Sequence, residues 1–225
     1  MIDGQKVLTV VPARGGSKGI KLKNLALFRG KPLIVWAAEI AKELKYVDRR
    51  VVSTDHLKIR AKAEANDLPS PFLRPKELSG DFVSDADVLI HALKVLEELD
   101  NCTYSIVVML QPTSPLRTIN QVETCIEILA RSTYDCVFTV SETNLKYHPL
   151  KQFVLNKNKA HYFDARGKSI IARQELSPTY HKNGIAYAIR RDSLLDQRAV
   201  IGDNSYSMVI HEKVINIDSV EDLFF

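Results

Sequence analysis

Residues 6–19 read KVLTVVPARGGSKG, and the fold class turns on the two halves of this stretch. The first half, 6–11, is a short apolar run rich in valine, which predicts a buried strand. The second half, Pro12-Ala13-Arg14-Gly15-Gly16-Ser17-Lys18-Gly19, places glycines and cations directly behind that strand. Glycines let backbone N–H groups line a concavity that takes phosphate oxygens. Arginine offers such oxygens a planar fork, and lysine a mobile point charge. A loop leaving the first strand of an α/β protein sits at the carboxyl edge of the sheet, where such sheets bind ligands. Residues 4–38 hold no Asp or Glu, yet carry Lys6, Arg14, Lys18, Lys21, Lys23, Arg29 and Lys31. That local excess attracts anions. A solvated basic face is the plain alternative. The stretch is neither GxxxxGK[ST] nor GxGxxG, which argues against a Walker-type NTPase and a dinucleotide oxidoreductase.

Outward from this point the chain alternates. Residues 12–31 are predicted irregular, a length usual for a functional loop. Helix is expected over 32–45, strand over 50–53, helix over 56–66 and a short strand over 71–73. Ser84 caps a strong helix over 84–99. Residues 105–110 (SIVVML) form a fully apolar strand, as in the middle of a parallel sheet. Helix over 118–132 and strand over 136–140 follow. Strands alternating with helices predict a doubly wound α/β sheet. Residues 141–182 are polar with short β-like pieces around Asn156-Lys157-Asn158-Lys159, and read as an excursion from the sheet. Strands are expected to return over 184–189 and 208–217, with a short helix from Asp218 onward.

Composition narrows the classes. The 225 residues are 45% hydrophobic and 26% charged, which excludes a disordered chain and predicts a single globular domain. No apolar run nears the ~20 residues of a membrane helix, and no signal peptide is expected. Cys102, Cys125 and Cys136 are odd in number and lack CxxC spacing, so neither a disulfide framework nor a zinc site is expected, and a reducing cytoplasm fits. The net charge of +4 is weak support for nucleic-acid binding, and aromatics do not interleave with the cations.

A second motif, Gln111-Pro112-Thr113-Ser114-Pro115-Leu116-Arg117, follows the apolar strand. Two prolines stiffen its backbone. Together with ARGGSKGIKLKN at 13–24, FLRPKEL at 72–78, Arg173-Gln174, Asn183-Gly184 and NIDSVED at 216–222, in this order, it resembles the acylneuraminate cytidylyltransferases. That family includes relatives acting on legionaminic and pseudaminic acids, and the resemblance runs from about residue 6 to residue 223. It implies a three-layer, Rossmann-like α/β nucleotidyltransferase fold with a mainly parallel sheet and a small β dimerisation arm, at 141–165. It implies transfer of CMP from CTP to the anomeric hydroxyl of a nine-carbon 2-keto sugar acid, release of pyrophosphate, a Mg²⁺ cofactor and a homodimer, with neither nucleic acid nor membrane as partner.

By the same resemblance, Arg14, Gly15, Ser17, Lys18 and Lys23 form the phosphate loop, with Asn24 nearer the nucleoside and Arg74 on the cytosine. Gln111 faces the sugar, supported by Thr113 and Ser114. Arg173, Gln174, Asn183, Gly184 and Tyr187 match further sugar contacts, and Lys151 matches an arm lysine that reaches the partner subunit's site. Arg14, Lys18, Lys23 and Asp218 are the expected catalytic set. A hydroxyl attacking a polyanionic triphosphate meets prohibitive repulsion without such cations, and positioning plus electrostatics dominate transfers of this kind.

The chain departs from the family at the expected metal pair. Where two aspartates spaced DxD are usual, it has Asn216-Ile217-Asp218, so Asn216 keeps an oxygen but loses a charge. Tyr180-His181-Lys182 stands where an aromatic-Arg pair is common. Two alternatives follow: a cytidylyltransferase for the eight-carbon 3-deoxy-octulosonate, and a non-catalytic nucleotide binder motivated by Asn216. Asp55 reads as a turn aspartate, Asp85 and Asp87 as helix-end charges, and His91 and the cysteines as core.

Overall fold

The computed structural model describes residues 1–224. Its centre is a sheet of six strands: β1 (Val7–Pro12), β4 (Arg49–Ser53), β5 (Ile106–Met109), β6 (Cys136–Glu142), β9 (Tyr180–Arg190) and β10 (Ser205–Val209), in the order β10-β6-β9-β5-β1-β4. β9 runs antiparallel to both its neighbours, and the other pairings are parallel. In β1, Val7 and Val11 face one core while Leu8 and Val10 face the other. A strand buried on both faces needs that unbroken apolar run.

Among the described residues, five α-helices complete the layers. α1 (Leu33–Glu43), α2 (Leu57–Glu64) and α4 (Ile119–Ala130) pack on one face, and α3 (Asp85–Asp100) and α5 (Arg191–Gln197) on the other. The Ser84 hydroxyl caps α3 by accepting from the Asp87 amide at 3.1 Å. Thr118 and Gln121 form a reciprocal capping box on α4. Two departures from expectation concern strands. Residues 71–73 are irregular: past β4 the chain crosses the sheet edge, held by Val52 N–H to Pro69 and Arg74 N–H to Thr54 carbonyls. β10 stops at Val209, and 211–217 instead run toward the loop after β5, where the Ile217 amide donates to the Thr113 carbonyl at 2.8 Å. The last described segment, Glu221–Phe224, is a single 3-10 turn.

The loop after β1 is less irregular than its composition suggests. It contains a turn at Lys23–Leu25 and a two-rung hairpin, β2 (Leu27–Phe28) with β3 (Lys31–Pro32). Ile20, Phe28, Leu33 and Ile217 form a satellite core beneath it. Burying Phe28 contributes about 2–3 kcal/mol toward fixing the loop.

Between β6 and β9 the chain leaves the sheet. Its main feature is the hairpin of β7 (Phe153–Asn156) and β8 (Lys159–Tyr162), turned by Lys157 and Asn158, both at positive φ. Phe153, Val154, Leu155, Phe163 and Ile171 leave apolar surface exposed on this excursion.

Candidate active site

A cleft of about 490 Å³ opens at the carboxyl ends of β1 and β5 and is lined by Arg14, Ser17, Lys18, Lys23, Asn24, Arg74, Gln111, Thr113, Asn216 and Asp218, among others. Four cations line it together with three carboxylates, Asp81, Asp85 and Asp218, and the excess of positive charge attracts anions. The Asn24 side chain donates to the Arg14 carbonyl at 2.9 Å, and the Gly15 amide donates to Asp55 at 2.8 Å, so two internal bonds set the loop's path. At Gly19, an added Cβ would sit 2.9 Å from the Asp218 carbonyl oxygen. The loop and the C-terminal segment therefore meet backbone to backbone. Lys23 closes the junction, donating to the Ile217 carbonyl and the Asp218 carboxylate, each at 3.1 Å.

Arg74 is buried at the cleft's inner wall. One end of its guanidinium donates to the Ser53 carbonyl at 3.0 Å, while its Nε has no partner. Burial lowers its pKa, against the opposing pull of Asp55. That Nε–H is a buried donor left unsatisfied by the protein itself.

The loop after β5 is held by Arg117, also buried, which donates through Nε to the Ser114 carbonyl at 3.1 Å and through Nη2 to the Gln111 carbonyl. The opposite wall comes from an irregularity in β9. Register runs from Phe138 opposite Tyr187 to Val140 opposite Lys182, so residues 183–186 bulge against Thr139. The Thr139 hydroxyl donates to Asn183 Oδ1 at 2.5 Å and accepts from the Ala186 amide at 3.2 Å. The bulge aims Gly184, at φ 72°, at the β5 loop. A Cβ there would lie 2.7 Å from Gln111 Oε1 and 2.8 Å from Ser114 Oγ.

A second chamber of about 320 Å³ adjoins the cleft across Asp85 and Gln111 and is lined also by Lys182, Tyr187 and Arg198. Asp85 begins α3 and accepts from the Gln111 amide at 3.4 Å. Desolvation by the surrounding walls raises its pKa although it is open to solvent at the mouth, and Lys182 and Arg74 pull the other way. Tyr187 stacks on Phe138 with ring centroids 6.3 Å apart, and burial raises its pKa to about 12.

The structure thus gathers Arg14, Ser17, Lys18, Lys23, Asn24, Arg74, Gln111, Thr113, Asn216 and Asp218 at one cleft, with Tyr187 in the chamber beside it. Gly15 lies in the loop itself. Ser114 supports from behind, its hydroxyl donating to the Asn183 carbonyl at 3.1 Å. The Asn183 side-chain amide is engaged inside the fold, with its nitrogen donating to Ser141 at 3.0 Å. Lys151 and Arg173 line a separate pocket of about 180 Å³ on the excursion, and Gln174 lies in the exposed turn Arg173–Glu175, so none of the three reaches the cleft within one chain. Sequence reading missed Asp81, Asp85 and Arg198 as lining residues. A carboxylate next to a helix start carries the same local pattern whether it faces a cleft or water.

Asp218 is 69% exposed at the side chain and offers an open carboxylate on the cleft rim. The Asn216 side-chain nitrogen points to Asp218 at 3.3 Å, and its oxygen accepts from Ser114 at 3.4 Å. Among the described residues no group of three or more His, Cys, Asp or Glu converges. One carboxylate suits a hard cation that takes its remaining ligands from water and substrate phosphates. No helix among the described residues is long and apolar enough to cross a membrane.

Comparison with known proteins identifies the family. A family model described as cytidylyltransferase matches residues 8–213. The chain is 30% identical over 221 residues to the pseudaminic acid cytidylyltransferase of Campylobacter jejuni serotype O:2, covering 98% of this chain and 94% of the relative. It is 29% identical over 210 residues to the N-acylneuraminate cytidylyltransferase of Escherichia coli O18:K1:H7, covering 85% of this chain and 49% of that longer protein. In fold it matches a CMP:2-keto-3-deoxy-manno-octonic acid synthetase complexed with CTP, with a TM-score of 0.73, 20% identity, and coverage of 98% and 96%. The chain belongs to the cytidylyltransferase family and is a CTP-dependent nucleotidyltransferase.

Proposed function

We propose that the protein transfers CMP from CTP to the anomeric hydroxyl of a nine-carbon 2-keto sugar acid. The observation that carries this is the pairing of two compartments: a four-cation cleft continuous, across Gln111 and Asp85, with a chamber holding Lys182, Tyr187 and Arg198. A triphosphate fits the first, and a polyhydroxylated acid fits the second. Relatives named for pseudaminic, N-acylneuraminic and legionaminic acids support a substrate of this class.

Arg14, Lys18 and Lys23 neutralise the triphosphate and stabilise the departing pyrophosphate. Arg74 and Asn24, both on the cleft lining, orient the nucleoside. Gln111 holds the sugar at the boundary of the two compartments. The hydroxyl oxygen then forms a bond to the α-phosphorus, the bond to pyrophosphate breaks, and the hydroxyl proton is released. A divalent cation such as Mg²⁺ fits at Asp218, with Asn216 beside it, and when bound supplies further positive charge to the phosphates.

The excursion at 141–165 acts as a dimerisation arm on the single domain. Its exposed Phe153, Val154 and Leu155 give it the apolar surface a second copy covers. In that assembly Lys151 serves the neighbouring subunit. Light scattering should give the mass of two chains, and Leu155→Asp that of one. The free, unpaired cysteines suit a reducing cytoplasm.

The deciding experiment incubates the protein with CTP, Mg²⁺ and a panel of sugar acids and measures pyrophosphate. Release with pseudaminic, legionaminic or N-acetylneuraminic acid is expected. Release with 3-deoxy-octulosonate alone would move the substrate to the eight-carbon class. No release with any acid of the panel would refute the reading.

A further inference from the structure

The two most exposed cations of the phosphate cradle are already holding an anion. Asp81 stands 3.0 Å from Arg14 Nη1 and 2.6 Å from Lys18 Nζ. The same Arg14 nitrogen donates to the Gly80 carbonyl at 3.0 Å. Gly80 and Asp81 both line the cleft. We propose that Asp81 is an internal anion occupying the phosphate seat, displaced when the triphosphate of the nucleotide binds. This rests on the reading of the cleft as a CTP site.

Three observations carry it. First, the contact is electrostatic and reaches across the cleft: one carboxylate spans both cations, as a phosphate group would. Lys18 and Arg14 together hold the Asp81 carboxyl below the usual carboxylate range. Second, the segment is free to leave. Phe82, next in sequence, is fully exposed and adds no core packing, and the Lys18 side chain is 77% exposed. Exposed pairs of this kind are weak and readily exchanged. Third, Lys23, the deeper cation, is engaged instead by Asp218 and the Ile217 carbonyl, so Asp81 does not neutralise the whole site. It covers the two outer cations, which keeps the cradle from presenting bare charge to every small anion.

The consequence is that nucleotide affinity is set by competition. Each CTP that binds must break two ion pairs, and removing the internal competitor raises apparent affinity by the factor that competitor cost. Titration calorimetry with CTP and Mg²⁺, on the full chain, should show Asp81→Asn binding about three- to tenfold more tightly than the unaltered protein. Asp81→Ala should shift in the same direction. Inorganic tripolyphosphate, which lacks base and ribose, should show the same factor. If the unaltered protein binds CTP and Asp81→Asn binds equally or more weakly, the displacement is wrong and the cleft reading stands. A gain for CTP without one for tripolyphosphate also overturns it, because the competition would not be with phosphate. If none of the proteins binds CTP, the cleft reading and this proposal fall together.

Discussion

Lys23 and Asp218 lie 195 positions apart in sequence, and their side chains meet at 3.1 Å. The pair joins the loop after the first strand to the segment that follows the last one, and the Ile217 carbonyl shares the same ammonium. Lys23 is therefore both a cation of the cleft and the bolt that holds the cleft's two rims together. Lys23→Ala should lower kcat/KM for CTP by roughly a hundredfold or more, by the scale of a lost charge-stabilising donor. Lys23→Arg should recover part of it. Steady-state pyrophosphate release checks both.

Gly184 is a cleft-wall position that does not accommodate a methyl group. Its φ of 72° disfavours any side chain, and two polar oxygens stand within 2.8 Å of the added carbon. Gly184→Ala should cost about 2–4 kcal/mol, combining left-handed strain with forced displacement of Gln111 and Ser114. Urea unfolding measures the loss. Activity should fall more than stability alone explains, because Gln111 moves.

Asn216 leaves Asp218 as the lone carboxylate of the pair. Asn216→Asp should lower the half-saturating Mg²⁺ concentration at fixed CTP severalfold, since hard cations favour carboxylate over amide oxygen. Asp218→Asn should raise it. Initial rates across a Mg²⁺ titration distinguish the outcomes, and unchanged values in both variants would place the ion elsewhere.

Asp85 gives a pH signature. Its folded-state pKa is raised from 3.8 by desolvation. The folded chain therefore holds that proton more tightly than the unfolded chain does. Stability falls as pH rises from the ordinary aspartate value through the raised one, and the loss persists above it. Asp85→Asn carries no such loss. Its stability relative to the parent should grow between about pH 4 and about pH 7. The gain should be no more than about 1 kcal/mol, because the carboxyl opens to solvent. Denaturant unfolding at the two pH values tests the sign.

Much of this was legible in the sequence. The valine-rich run before Pro12 and the apolar run ending at Met109 could only be central strands, and each delivered its loop to the cleft. The β7–β8 hairpin followed from Asn156-Lys157-Asn158-Lys159. Three features were not legible. The helix Arg191–Gln197 is short, buries Leu194 and has no side-chain cap, so no periodicity marks it. The apolar residues of 208–217 suit a strand, but past Val209 the residues Ile210 and Val214 stay with a main core while Ile215 and Ile217 serve the satellite core, and the Ile217 amide takes the Thr113 carbonyl. The alignment of Asp81 with Arg14 and Lys18 depends on a contact between segments more than sixty residues apart in sequence, for which local pattern holds no trace.

The reversed direction of β9 carries a broader implication. Because it enters the sheet at the end where β6 leaves, the excursion between them starts and finishes at the carboxyl edge of the sheet, the edge at which the cleft opens. Whatever its length or shape, that insertion stays anchored at this edge, while the cleft's lining is built from other segments. The insertion can therefore change in length and sequence without rebuilding the cleft.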